Sequence, residues 1–350
     1  MRKGGRRLAE RRTRAAAACV GVILAALAAP AAAQDHSRVY SAQELAADGP
    51  RLEKRARELY RIVLEQVLTP AETARLGNVL LEFPEPYEGD HVLEFYTYED
   101  GDRDVVSMPI MSLKATEDLA TAVQWLNQQR YTLGTIDLYF TMMRREDPSD
   151  FAGGAYPALL PALGVPADAY KSLGGNDTSM RNDAWAFALL HELGHVALDH
   201  KDYAELTTEE ARRDERAADQ FALDALARIG GRPPAGAYFM LQAQAYSLPH
   251  RGQFDSEAAW LKFMDEENVH PVTSDRLQAI GEHVLRTARG KSGVDREAWT
   301  YIGERMIAFS RDLANLELQQ CITRAGEQAT LADLKPRREP PEALMRKACL

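Results

Sequence analysis

Residues 181–200, RNDAWAFALLHELGHVALDH, set two imidazoles and a carboxylate into an Ala-rich, apolar run. Burying polar side chains costs free energy unless something satisfies them. His191 and His195 are four residues apart, so on a helix both rings leave one face, one turn above the other. Neutral imidazole is a good zinc ligand, and this spacing offers two corners of a tetrahedron. Glu192 is rotated by about 100° from His191. That places it beside a metal held by the two rings, as a base toward metal-bound water. The pattern is H-E-x-x-H.

A metal reading needs a third ligand. His200 follows His195 by five residues, about 140° round an unbroken helix. With Asp199 it therefore reads as the solvated end of that helix. A third histidine further along the same helix would need Gly and His three and six residues after His195, where Leu198 and Lys201 stand. The stretch DERAADQFALDAL fits better. Glu215 comes twenty residues after His195, room for the chain to turn near Asp202 and return. Asp219 shares its helix face, and the small Ala217 and Ala218 between them let two helices approach. Glu215 then reads as the third ligand, leaving the fourth position to water. Asp219 reads as the carboxylate that accepts the outer N–H of a ligand histidine. Because Arg212, Arg213, Asp214 and Arg216 are charged too, an exposed charged face is the competing reading.

HELGH followed by ERAAD resembles the gluzincin zinc metallopeptidases. A third stretch, HPVTSDRLQAI with His270, Pro271 and Arg276, is similar to the late His-Pro and Arg of the CAAX prenyl protease and HtpX-like peptidases. The resemblance spans roughly residues 181–285. It implies one zinc ion on His191, His195 and Glu215, Glu192 as general base in peptide-bond hydrolysis, and His270 as a hydrogen-bond donor to the tetrahedral intermediate. It also implies that Arg276 pairs with the carboxylates at the zinc. Tyr238, Tyr246 and His250 are the alternative donors to His270. Read from the residues alone, HPVTSDR is also an ordinary helix start with Thr273 or Ser274 as cap. Members of this branch that sit in membranes have several spanning helices, which the sequence after residue 33 lacks.

The first 33 residues differ from the rest. Seven basic residues and one acid, Glu10, precede or flank the apolar run AAAACVGVILAALAAPAAA. A basic stretch, an apolar stretch and a small-residue end form a secretory signal, with an uncleaved anchor as the alternative. The expected location is periplasmic or secreted. The whole chain has 42 basic and 52 acidic residues, so removing those seven and that one leaves a net charge of −16. No basic cluster is present to meet a phosphate backbone or an anionic lipid face, which argues against nucleic acid as a partner. The expected partner is a polypeptide, with unfolded envelope proteins as candidates. Of the three cysteines, Cys19 falls in the signal, and Cys321 and Cys349 form an even pair that an oxidising compartment would join.

The elements that must position these residues follow from periodicity. Leu45 to Leu76 reads as helical, with Leu52, Ala56, Leu59, Ile62 and Val63 on one stripe. Two β-rich runs within 91–113 flank Asp100-Gly101-Asp102 and read as a hairpin. Helical pattern resumes in TEDLATAVQWLNQQ and TIDLYFTMMRRE. Residues 147–180 read as an ordered loop, then come helices from Arg181 to about Asp202, Thr207 to Ile229 with a capping box, Asp275 to Ala288, and about Arg296 to Gln319. The expected class is α+β, a small N-terminal β element with helices (34–146), followed by a mainly helical, zincin-like core (181–290) and a C-terminal helix and tail (291–350). A different function class stays open: a latent or non-enzymatic zinc-binding envelope chaperone or assembly protein. Its site would be capped by the 147–180 loop or by His250 or His270.

Overall fold

The computed structural model of the chain describes residues 36–87, 90–144, 151, 154–201, 205–229, 233–249, 253–266 and 272–338. The signal-like segment 1–33, His250, His270, Pro271 and Cys349 lie outside the described residues.

The first helix, α1 (Ala42–Ile62), is started by a capping box. Ser41 accepts from the Glu44 amide, and the Glu44 carboxylate accepts from the Ser41 amide at 2.8 Å. Its buried stripe is Leu45, Gly49, Leu52 and Ala56. The single helical run expected to Leu76 is broken. A π-helical turn covers Val63–Val67, Leu68 is extended, and a second capping box (Thr69 with Glu72, Pro70 at the first turn) starts α2 (Pro70–Leu76). The cause is local: the Pro70 ring leaves no N–H to continue the earlier helix.

Three strands follow. β1 (Leu80–Glu82) pairs parallel with β3 (Arg103–Ser107), and β3 pairs antiparallel with β2 (Tyr96–Asp100), giving the order β1-β3-β2. The β2–β3 hairpin closes at Gly101-Asp102, where the sequence placed its turn. The β-rich reading up to residue 113 ran too far. β3 ends at Ser107, and Pro109 caps α3 (Ile110–Gln128). The first turns of α3 are buried all round (Ile110, Met111, Ser112, Leu113), so their apolar run carries no helical stripe to distinguish it from a strand.

After α4 (Gly134–Met142), the described part of the 147–180 segment holds α5 (Leu159–Leu163) and a 3-10 turn at Ala169–Ser172. Its last residues already belong to α6 (Asn176–Ala197), five residues earlier than the sequence suggested. Then come α7 (Thr208–Ile229), α8 (Ala235–Ser247), α9 (Glu257–Glu266), α10 (Ser274–Arg289) and α11 (Gly293–Ala314). The long helix expected to Gln319 stops at Asn315, whose side chain accepts from the Leu318 amide and starts α12 (Leu316–Gln328). Buried Cys321 on α12 is disulfide-bonded. The chain is mostly helical with one small three-stranded sheet, an α+β protein.

Helix α6 is the axis of this arrangement. Trp185, Phe187, Leu189, Leu190 and Leu193 are all buried, and the helix packs on α1, α2, α3, α7, α8 and the hairpin. The N-terminal α/β region and the helices around α6 share one hydrophobic core. Among the described residues, no helix is long and apolar enough to cross a membrane.

The crossing of α8 over α6 depends on Gly236. A Cβ there would run into the Met180 carbonyl oxygen and come within 2.7 Å of the Ala184 nitrogen, both main-chain atoms that cannot swing aside. Gly236→Ala is therefore expected to lower stability by roughly 1–3 kcal/mol, the usual cost of overpacking. Thermal melting checks this, and an unshifted midpoint would mean that α8 sits further from α6.

Candidate metal centre

Helices α6, with His191 and His195, and α7, with Glu215, meet at Gly194, inside HELGH. A Cβ on Gly194 would lie 3.2 Å from the Cα of Ala218 and 3.3 Å from a ring carbon of Phe221. The missing side chain and the small Ala218 let the two helices touch almost main chain to main chain. The capping box that starts α7 is present as expected: the Glu210 carboxylate accepts from the Thr207 amide at 2.9 Å.

This contact brings His191, His195 and Glu215 together, the group among the described residues that could hold a metal ion. His191 Nε2 and His195 Nε2 are 3.2 Å apart. Glu215 Oε2 lies 3.5 Å from His191 Nε2, and Oε1 lies 3.3 Å from His195 Nε2. Tetrahedral zinc with ligand bonds of about 2.0–2.1 Å would hold neighbouring ligand atoms about 3.3 Å apart. The donor set, its spacing and its burial fit such an ion.

The outer partners are equally defined. His191 Nδ1 faces Asp219 Oδ1 at 3.0 Å, leaving Nε2 turned inward. Arg276, in the first turn of α10, reaches both carboxylates: Nε and Nη2 each donate to Asp219 at 2.8 Å, and Nη1 meets Glu215 Oε2 at 2.7 Å. Thr273 caps α10 by accepting from the amide of Arg276 itself, so the cap that the bare sequence suggests also sets the guanidinium. His191, Glu192, His195, Glu215, Asp219 and Arg276 are each no more than 6% exposed.

In this setting electrostatics outweigh desolvation for some groups and not for others. Burial pushes the His191 imidazolium down, but the Glu215 and Asp219 carboxylates raise it to about 10. Burial also lowers His195, and there its hydrogen bond to the Glu215 carboxylate does not fully compensate. For Asp219 burial raises the carboxyl, yet Arg276 and His191 hold it below its ordinary value.

One prediction fails here. His200 does not point away from the site. Helix α6 ends at Ala197, Asp199 takes a left-handed φ of 56°, and the His200 ring returns to His195 with Nδ1 to Nδ1 at 3.0 Å. The sequence reading assumed an unbroken helix. The signal for the turn was weak because the left-handed position holds Asp, not Gly, although Asp tolerates that region better than most residues.

Glu192 lines a small cleft with His191, Arg276, Phe187 and Ala188, together with Phe95 just before β2 and Met240, Leu241 and Gln244 of α8. None of its described lining residues comes from the 147–180 segment. Tyr238 and Tyr246 are turned elsewhere. Arg305 donates to the Tyr238 hydroxyl at 3.5 Å, and the Tyr246 ring packs on Phe309.

A family model described as Peptidase U49 matches residues 178–232, nearly all of α6 and the whole of α7. The match suggests a peptidase. Its span contains His191, Glu192, His195, Glu215 and Asp219, while Arg276 comes from beyond it. No curated protein and no solved structure matches the chain.

Proposed function

We propose that this protein is a zinc metallopeptidase with a zincin-like catalytic core of the gluzincin type. The observation that carries this reading is the buried set of two Nε2 atoms and one carboxylate at tetrahedral spacing, with Glu192 beside it on a cleft. His191, His195 and Glu215 would hold the ion, which when bound supplies a Lewis acid that acidifies water and polarises the scissile carbonyl. Glu192 takes the proton of the attacking water and delivers it to the leaving amine. Asp219 keeps the His191 ring oriented, and Arg276 holds Glu215 and Asp219 in place.

Strand β2, at the edge of the sheet among the described residues, follows Phe95 at the cleft, and an extended polypeptide would add to that edge. His270, expected to donate to the tetrahedral intermediate, lies outside the described residues and enters no step here. The basic and apolar residues 1–33 support export to a periplasmic or extracellular compartment.

The test is direct. The purified chain without residues 1–33 should carry one zinc ion and cleave casein. A chelator should abolish cleavage and added zinc should restore it, while chelator-resistant cleavage would sink the metal mechanism. Glu215→Ala should lower zinc occupancy severalfold or more in the same preparation, and unchanged zinc content would remove Glu215 from the ligand set.

A further inference from the structure

His195 presents one ring nitrogen to the ligand cluster and the other to His200. Nε2 lies 3.2 Å from His191 Nε2 and 3.3 Å from Glu215 Oε1, while Nδ1 lies 3.0 Å from His200 Nδ1. The two rings stand nearly perpendicular, with centroids 4.9 Å apart at 78°. Two facing ring nitrogens can share only one hydrogen, so one must donate and the other accept.

We infer that His200 is a positioning residue for the metal: it accepts the Nδ1–H of His195 and so fixes the tautomer in which Nε2 carries the ligand lone pair. The inference rests on the metal reading above and adds a residue to it. His195 stands to His200 as His191 stands to Asp219, each ligand ring held from behind at 3.0 Å.

The backbone builds this contact. The Asp199 amide donates to the Val196 carbonyl and the His200 amide to the His195 carbonyl, both characteristic of a Schellman helix end. Asp199 occupies the left-handed position that such a turn requires. His200 thus engages His195 twice, main chain to main chain and ring to ring. An imidazole behind the second ligand also avoids adding a further carboxylate to a site that already holds Glu192, Glu215 and Asp219.

The experiment compares wild type, His200→Ala and His200→Asn. Zinc dissociation constants are measured by competition with a chromophoric chelator, cobalt-substituted samples give visible spectra, and metal-free samples are melted. Ala removes the acceptor, whereas Asn keeps an amide oxygen close to where Nδ1 stood.

Expected is a loss of about 10–100-fold in zinc affinity for His200→Ala, with most of that affinity recovered by His200→Asn. The cobalt spectrum should change in His200→Ala, and the metal-free melting points should stay close to wild type. Wild-type zinc affinity in His200→Ala, or an Asn variant as weak as Ala, would overturn the role of His200 and leave the metal site standing. A wild-type chain that takes up no zinc would overturn the metal reading itself, and this inference with it.

Discussion

Glu192→Gln should keep one zinc ion per chain and lose peptide hydrolysis by about 10²–10⁴-fold, the usual contribution of a positioned general base. The amide has nearly the shape of the carboxylate, so the cleft that Glu192 lines with Phe187, Ala188 and Met240 keeps its form. The ligand atoms of His191, His195 and Glu215 belong to other side chains and stay where they are. What disappears is a group that can take a proton and return it. Turnover of a fluorogenic peptide, alongside zinc content by atomic absorption, separates the two effects. Retained turnover would remove Glu192 as the base, and lost zinc would make it part of the ligand cage instead.

Arg276→Met should destabilise the metal-free chain by about 3–5 kcal/mol, the range seen when one partner of a buried ionic cluster is removed. Met keeps most of the side-chain volume but takes away the guanidinium that bridges Glu215 and Asp219, leaving His191 alone to offset two buried carboxylates. Denaturant midpoints measure the loss. Saturating zinc should narrow the gap between variant and wild type, because a bound cation replaces part of the charge that only the variant has lost and so stabilises its folded state more. Arg276→Lys should fall between the two, since a single ammonium cannot match a fork that reaches both carboxylates. A gap that zinc leaves untouched would mean that Arg276 serves packing alone.

Much of this site was legible because helical spacing is rigid. HELGH and ERAAD each place their polar residues on one face, and the four-residue intervals translate into adjacent side chains without any knowledge of the fold. Arg276 was another matter: nothing in its local spacing points to Glu215 or Asp219, and it entered through the resemblance of HPVTSDR. His200 was lost because its position depends on where a helix ends, and a left-handed Asp is a weak marker of that end. Strand β1 was missed for a similar reason. Three residues, Leu80–Glu82, are too short to show alternation, and their parallel partner lies more than twenty positions away. The start of α3 was read as strand because a helix buried on every side has no polar face to betray its period.

The contact between Gly194 and Ala218 has a consequence for timing. The distance between the two helices, and with it the gap between the ligand side chains, is set by main-chain atoms pressed together. That spacing thus has a cause in the chain itself, and Arg276 offsets charge among the carboxylates. On the proposed reading, folding and metal uptake would then be separable events. A metal-free chain would be folded yet inert, and the supply of metal would decide when it begins to work.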